Sequence, residues 1–124
     1  MKIMIIQPWI KQGGAELISV HLAYELAKQG HKVQIVCLFV DLAGMPHHAR
    51  HVCYVTPPTW LSDWLARSRL AFLFLGPFVL FNLVWKYAGD IDVLNPHNFP
   101  ASWIAVMVGK LRRIPIVWTC NEPP

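Results

Sequence analysis

The feature that most constrains this chain is the order of its first forty residues. Residues 2–8 (KIMIIQP) are a continuous apolar run closed by a proline, which reads as a strand buried on both faces. Gly13-Gly14 follow. Residues 15–29 (AELISVHLAYELAKQ) then carry apolar side chains at 15, 18, 22 and 26 and at 17, 20, 24 and 27. Spacings of three and four predict a helix with a broad buried face. Gly30 suits its C-terminal cap, and residues 33–40 (VQIVCLFV) form a second apolar, β-branched run. Strand, glycine turn, helix and strand make a βαβ unit, which commits the chain to a parallel sheet with a right-handed crossover.

The same alternation continues. Residues 41–51 read as a loop and 52–56 as a short third strand stopped by Pro57-Pro58. From about residue 61 to 87 the pattern is helical or nearly so, with a break or kink expected at Gly76-Pro77. Residues 93–95 predict a fourth strand ended by Pro96, 101–112 a helix, and 115–120 (PIVWTC) a fifth strand. The strand runs are apolar rather than alternating. The expected fold class is therefore α/β: a Rossmann-like, doubly wound parallel sheet occupying residues 1–124 as one domain.

A hydrophobic content of 55% with only 15% charged residues is high for a soluble domain and predicts apolar surface reserved for a partner. The net charge of +4 favours anionic partners, but no RNA-binding aromatic signature or dense Lys/Arg run points to nucleic acid. Cys37, Cys53 and Cys120 form no C-x-x-C pair. Each is expected as a small, reduced and buried hydrophobe in a strand, which suits the cytoplasm. The apolar N-terminus is too short for a signal peptide.

Ligands of open α/β sheets bind beyond the carboxyl ends of the strands. Three segments fall there. Gln12-Gly13-Gly14-Ala15-Glu16 places two glycines before a helix N-terminus, where close backbone approach and free N–H groups favour a phosphate. It is neither G-x-G-x-x-G nor a P-loop, and a tight turn with Glu16 in the first helical turn explains it equally well. Asn95-Pro96-His97 puts a histidine at the end of the fourth strand, where it can polarise a hydroxyl or hydrogen-bond to backbone. Asn121 and Glu122, after the fifth strand, can bind sugar or acceptor hydroxyls or form a plain turn.

The opening strand, Gly13-Gly14-Ala15-Glu16, Leu26-Ala27-Lys28-Gln29-Gly30-His31-Lys32-Val33, Asp92-Val93-Leu94-Asn95-Pro96-His97 and Ile116-Val117-Trp118-Thr119-Cys120-Asn121-Glu122 together resemble the retaining GT-B glycosyltransferases called group 1 or family 4. The resemblance implies half of a GT-B fold, incomplete at its C-terminal end and without the donor-binding domain. It implies transfer of a sugar from a nucleotide-sugar to a hydroxyl acceptor, a glycan or lipid-linked molecule, with retention and without a metal or other cofactor. In that frame Gly13 and Gly14 lie against the donor diphosphate, His97 lies beside the transferred sugar as the catalytic residue, and Glu16, Asn121 and Glu122 face the acceptor. The missing domain, or a partner chain, supplies the nucleotide site, so the 124-residue chain alone is expected to transfer no sugar. The other reading is a non-catalytic α/β subunit that recruits a separate catalytic chain, to the membrane or to a partner.

Residues 70–85 (LAFLFLGPFVLFNLVW) contain one polar residue, Asn82, and are flanked by Arg67, Arg69 and Lys86, with Trp60, Trp64 and Trp85 near the ends. A buried crossover helix, a helix lying in an anionic membrane surface on the cytoplasmic side, and a membrane span are the three readings. A span needs roughly 20 residues and would break the βαβ wrap. His47-His48-x-x-His51 sits in a loop beside Arg50 and without cysteine, so incidental histidines are expected there rather than a metal site.

Overall fold

In the computed structural model the first apolar run forms β1 (Lys2–Ile6), the strand around which everything else is arranged. The structure describes residues 1–10, 14–97 and 101–117. Met4, Ile5 and Ile6 are wholly buried because consecutive side chains point to opposite faces and both faces are covered. β2 (Lys32–Val36) pairs with β1 on one side, Lys2 opposite Lys32 through Ile6 opposite Val36. β4 (Val93–Pro96) pairs on the other, Ile3 opposite Val93 through Ile6 opposite Pro96. β3 (Cys53–Val55) lies outside β2, giving the order β3-β2-β1-β4 with every pair parallel. The α/β doubly wound expectation holds.

Beyond β4, Leu94 N donates to Pro115 O (3.0 Å) and Val117 N to Leu94 O (2.9 Å), with a parallel bridge between Leu94 and Ile116. The expected fifth strand thus begins beside β4, and residues 118–120 lie outside the described residues.

Helix α1 (Gly14–Lys28) ends as its sequence requires. Gly30 takes a φ of 94°, and the N–H groups of Gly30 and His31 donate to Ala27 O (3.1 Å) and Leu26 O (3.2 Å). A left-handed glycine with these two bonds satisfies carbonyls that the helix would otherwise leave open. The expected loop at 41–51 contains a 3-10 turn, His47–His51, whose Ala49 is buried. His48 packs its ring against Tyr24 of α1 at 4.9 Å.

The long helical stretch breaks at a different place from the expected one. Helix α2 (Thr59–Arg67) and helix α3 (Arg69–Tyr87) meet at Ser68, and α3 runs unbroken through Pro77. Ser68 has an extended backbone, φ −108° and ψ 115°, and its Oγ accepts from Ala71 N at 3.2 Å. That N-cap starts a new helix. Pro77 removes one N–H from the helix ladder. Gly76 beside it lets α3 settle on the sheet, since a Cβ there would meet Leu38 Cδ1 at 3.1 Å.

The helices divide between two faces. α1 and the 3-10 turn cover Ile3, Ile5, Ile35 and Cys37. α2, α3 and α4 (Ala101–Arg112) cover Met4, Ile6, Val36, Leu38 and Leu94. Burial pushes the Cys37 thiol up to about 12, so it is an inert core group as expected. Cys53 departs from the expectation: β3 is an edge strand and Cys53 is exposed.

The end of α4 packs closely on the chain that follows it. A Cβ on Gly109 would lie 2.8 Å from Ile116 Cδ1 and 3.0 Å from Ile114 O, the chain that returns toward the sheet. Alanine is the better helix former by about 1 kcal/mol, yet here the clash wins. Gly109→Ala is expected to lower unfolding free energy by about 1–3 kcal/mol in a denaturant titration, whereas an unchanged or raised midpoint would show that residues 114–116 yield freely.

Candidate functional site

β2 and β3 are added on one side of β1, and the crossover from β3 through α2 and α3 then places β4 on its other side, so the strand order reverses at β1 while all strands stay parallel. α1 leaves the carboxyl end of β1 toward one face, and the chain after β4 enters α4 on the other. This is a topological switch point, and in open α/β sheets a ligand crevice lies at such a point, outside the carboxyl ends of the strands. Gly14 is the first residue of α1, which puts the helix N-terminus and its unsatisfied N–H groups beside that crevice. Glu16, in the first turn, is buried. His97 follows β4 directly, and its N–H donates to Ile6 O at 2.8 Å. The fold therefore brings Gly14, Glu16 and His97 to one rim. Gly13, Asn121 and Glu122 lie outside the described residues.

His97 is the best-defined group at the rim. It is wholly buried, and its Nε2 lies 2.6 Å from Asn95 Oδ1. Asn95 Nδ2 donates to Val117 O. Because a backbone carbonyl only accepts, this second bond fixes which way the amide points. Oδ1 then faces the ring, Nε2 carries the proton, and Nδ1 holds the lone pair. Burial pushes the imidazole down to about 4 from its ordinary 6.5, so the ring is neutral near pH 7. A neutral imidazole in a set tautomer can orient a sugar hydroxyl without placing a full charge in the crevice.

Two features of this rim were not read from the sequence. Gln7, one residue beyond β1, is wholly buried, and Ser19 Oγ donates to its Oε1 at 2.8 Å, tying the strand end to α1. Gln7 Nε2 has no hydrogen-bond partner among the described residues. A buried donor of this kind needs a ligand, a water or a further protein group to satisfy it. The only signal for it in the sequence is a polar residue ending an otherwise apolar run. The second feature is an apolar cavity of about 310 Å³ lined by Trp9, Phe39, Phe72 and Leu73, with Arg69 in its wall. Trp9 and Phe72 meet edge to face at 5.3 Å across the end of β1. The site can take an anion at the helix terminus, a hydroxyl at His97, and an apolar group beside Trp9.

A histidine whose pKa is lower in the folded than in the unfolded chain makes stability depend on pH with a definite sign. Its contribution is complete above about 6.5. It shrinks as pH falls toward about 4 because the unfolded chain takes up the proton first, and it shrinks no further below that. Titration of the His97 ring by NMR is expected to give a midpoint near 4, and Asn95→Asp is expected to raise it by placing a carboxylate beside Nε2. A midpoint near 6.5 in the unaltered chain would contradict the buried, neutral ring.

Several solved structures share this fold. HepE from Anabaena, solved in complex with UDP-glucose, superposes with a TM-score of 0.66 at 18% identity, over 95% of this chain and 28% of that one. The calicheamicin glycosyltransferase CalG4 gives 0.65 at 16% identity, over 98% and 33%. MurG of Acinetobacter baumannii gives 0.54 at 10% identity, over 96% and 34%. The chain thus spans about a third or less of the length of these proteins. No curated protein matches it in sequence. The model of Glycosyltransferase Family 4 matches residues 12–124, and the chain belongs to that family.

Proposed function

We propose that this chain forms the acceptor side of a glycosyltransferase that moves a sugar from a nucleotide-sugar to a hydroxyl, with retention of the anomeric configuration. The observation that carries the reading is the neutral, Asn95-held His97 on the same rim as the N-terminus of α1. In this reading the N–H groups around Gly13-Gly14 face the donor diphosphate, and His97 binds a hydroxyl of the transferred sugar. Glu16, Asn121 and Glu122 line the acceptor side. HepE, which shares the fold, was solved with UDP-glucose, and this favours a nucleotide-sugar donor. A second nucleotide-binding domain, on the same polypeptide or a partner chain, completes the reaction, which runs in the cytoplasm without a metal. The cavity beside Trp9, apolar but for Arg69, favours an acceptor that joins an apolar portion to an anionic group, as a lipid-linked glycan does.

The test compares the chain alone with the chain joined or mixed with its donor-binding domain. The 124 residues alone are expected to give no transfer from a nucleotide-sugar. In the complete enzyme His97→Ala is expected to lower kcat about 10- to 100-fold, the worth of a hydrogen bond made in a buried site, and the product anomer is expected to match the donor. Turnover by the isolated chain would overturn the division of labour, and full activity of His97→Ala would remove His97 from the reaction.

A further inference from the structure

The three helices on one face of the sheet each turn an apolar stripe to solvent. On α3, Leu70, Phe74 and Phe78 are 68%, 69% and 75% exposed at successive spacings of four, and Leu73 beside them is 67% exposed. On α4, Trp103, Met107 and Leu111 repeat the spacing, and on α2 Trp60 and Trp64 do the same. These stripes form one surface because α3 packs against both neighbours and all three helices bury their opposite sides on the sheet. Arg112 stacks over the Trp85 ring at 4.0 Å and clamps α3 to α4. The other face is unlike it: α1 exposes one large aliphatic side chain, Ile18, among polar residues.

Charge identifies what this surface meets. The three helices carry Arg67, Arg69, Lys86, Lys110 and Arg112 against one acid, Asp63. Arg113, with a φ of 57°, adds an exposed cation just past α4. A second copy of this face would bring like charges together. An anionic bilayer offers hydrocarbon to Leu and Phe, an interfacial zone to Trp, and phosphates to Lys and Arg. We infer that the α2–α3–α4 face lies on an anionic lipid surface, with α3 parallel to the membrane plane. α3 is 19 residues long with a mean hydropathy of 1.6, enough by composition to cross a bilayer. Its Ala71, Gly76, Leu80 and Val84 are nevertheless buried against the sheet, so it lies on the surface as part of the domain.

The N-terminal end of α3 adjoins the cavity formed by Trp9, Phe72, Leu73 and Arg69. An amphiphile held in the bilayer therefore reaches the rim without leaving the apolar surface. This last step alone rests on the lipid-linked acceptor proposed above; contact with lipid does not.

The test is co-sedimentation of the full chain with phosphatidylcholine vesicles containing or lacking phosphatidylglycerol, with no donor or acceptor present. Binding is expected only with the anionic lipid, and brominated acyl chains are expected to quench tryptophan fluorescence. The double variant Phe74→Asp/Phe78→Asp is expected to abolish binding while leaving circular dichroism and the melting midpoint unchanged, because both side chains are exposed. Lys110→Gln and Arg113→Gln are each expected to weaken binding about fivefold at low salt. No binding to anionic vesicles at low salt, or undiminished binding by the double variant, would overturn the inference. So would a lipid-free dimer that the double variant disperses, since a second copy would then own the face. None of these outcomes bears on sugar transfer, and loss of transfer in His97→Ala leaves the lipid result standing.

Discussion

The rest of the structure depends on β1 being paired on both sides. Its hydrogen bonds to β2 and β4 place the strand wholly inside, and the last bond of the second ladder, His97 N to Ile6 O, sets the catalytic candidate against the strand end. The chain leaving β1 enters α1 on one face and the chain leaving β4 enters α4 on the other, which makes this a topological switch point. Function can then vary through loop residues without disturbing the sheet. Here the residues at the rim are buried and polar: Gln7, Ser19, Glu16, Asn95 and His97. Buried polar groups are costly unless satisfied. Their concentration at one end of an otherwise apolar core is the physical ground for placing the proposed site there.

The outer sides of the two helical layers differ in composition. α1 is amphipathic, with an ordinary solvated outer side. α3 is apolar almost all round, which is the composition of a helix with no aqueous face. Gly76 and Leu80 meet the sheet, and Phe74 and Phe78 face away from it. The placement of α2 and the start of α3 near Trp9 connects the apolar face with the rim, so one surface can serve both docking and acceptor access.

Much of this was legible in residues. The run 2–8, the helix period and Gly30 dictate strand, helix and left-handed cap, because each depends on local geometry alone. Family membership followed from the same segments and their order. His97 was legible as a strand-end histidine, but its lowered pKa and its tautomer were not: the first depends on burial, the second on Asn95, whose amide is fixed by Val117 twenty-two residues away. The break at Ser68 was hidden because a proline is the louder local signal, while a serine cap needs the chain to turn there. The exposure of Cys53 depends on which strand is the edge, and the outward side of α3 on which side meets the sheet. In a uniformly apolar helix, periodicity marks neither.

The central claim is that the ligand-binding end of this chain is the carboxyl rim at β1 and β4. The most direct measurement is a map of amide chemical-shift changes on adding UDP-glucose at millimolar concentration to the isotope-labelled chain. The account predicts changes grouped at Gly14, Glu16 and His97. Changes grouped instead at the opposite end, around the cavity of about 480 Å³ lined by Lys2, His31 and Asp90, would contradict it.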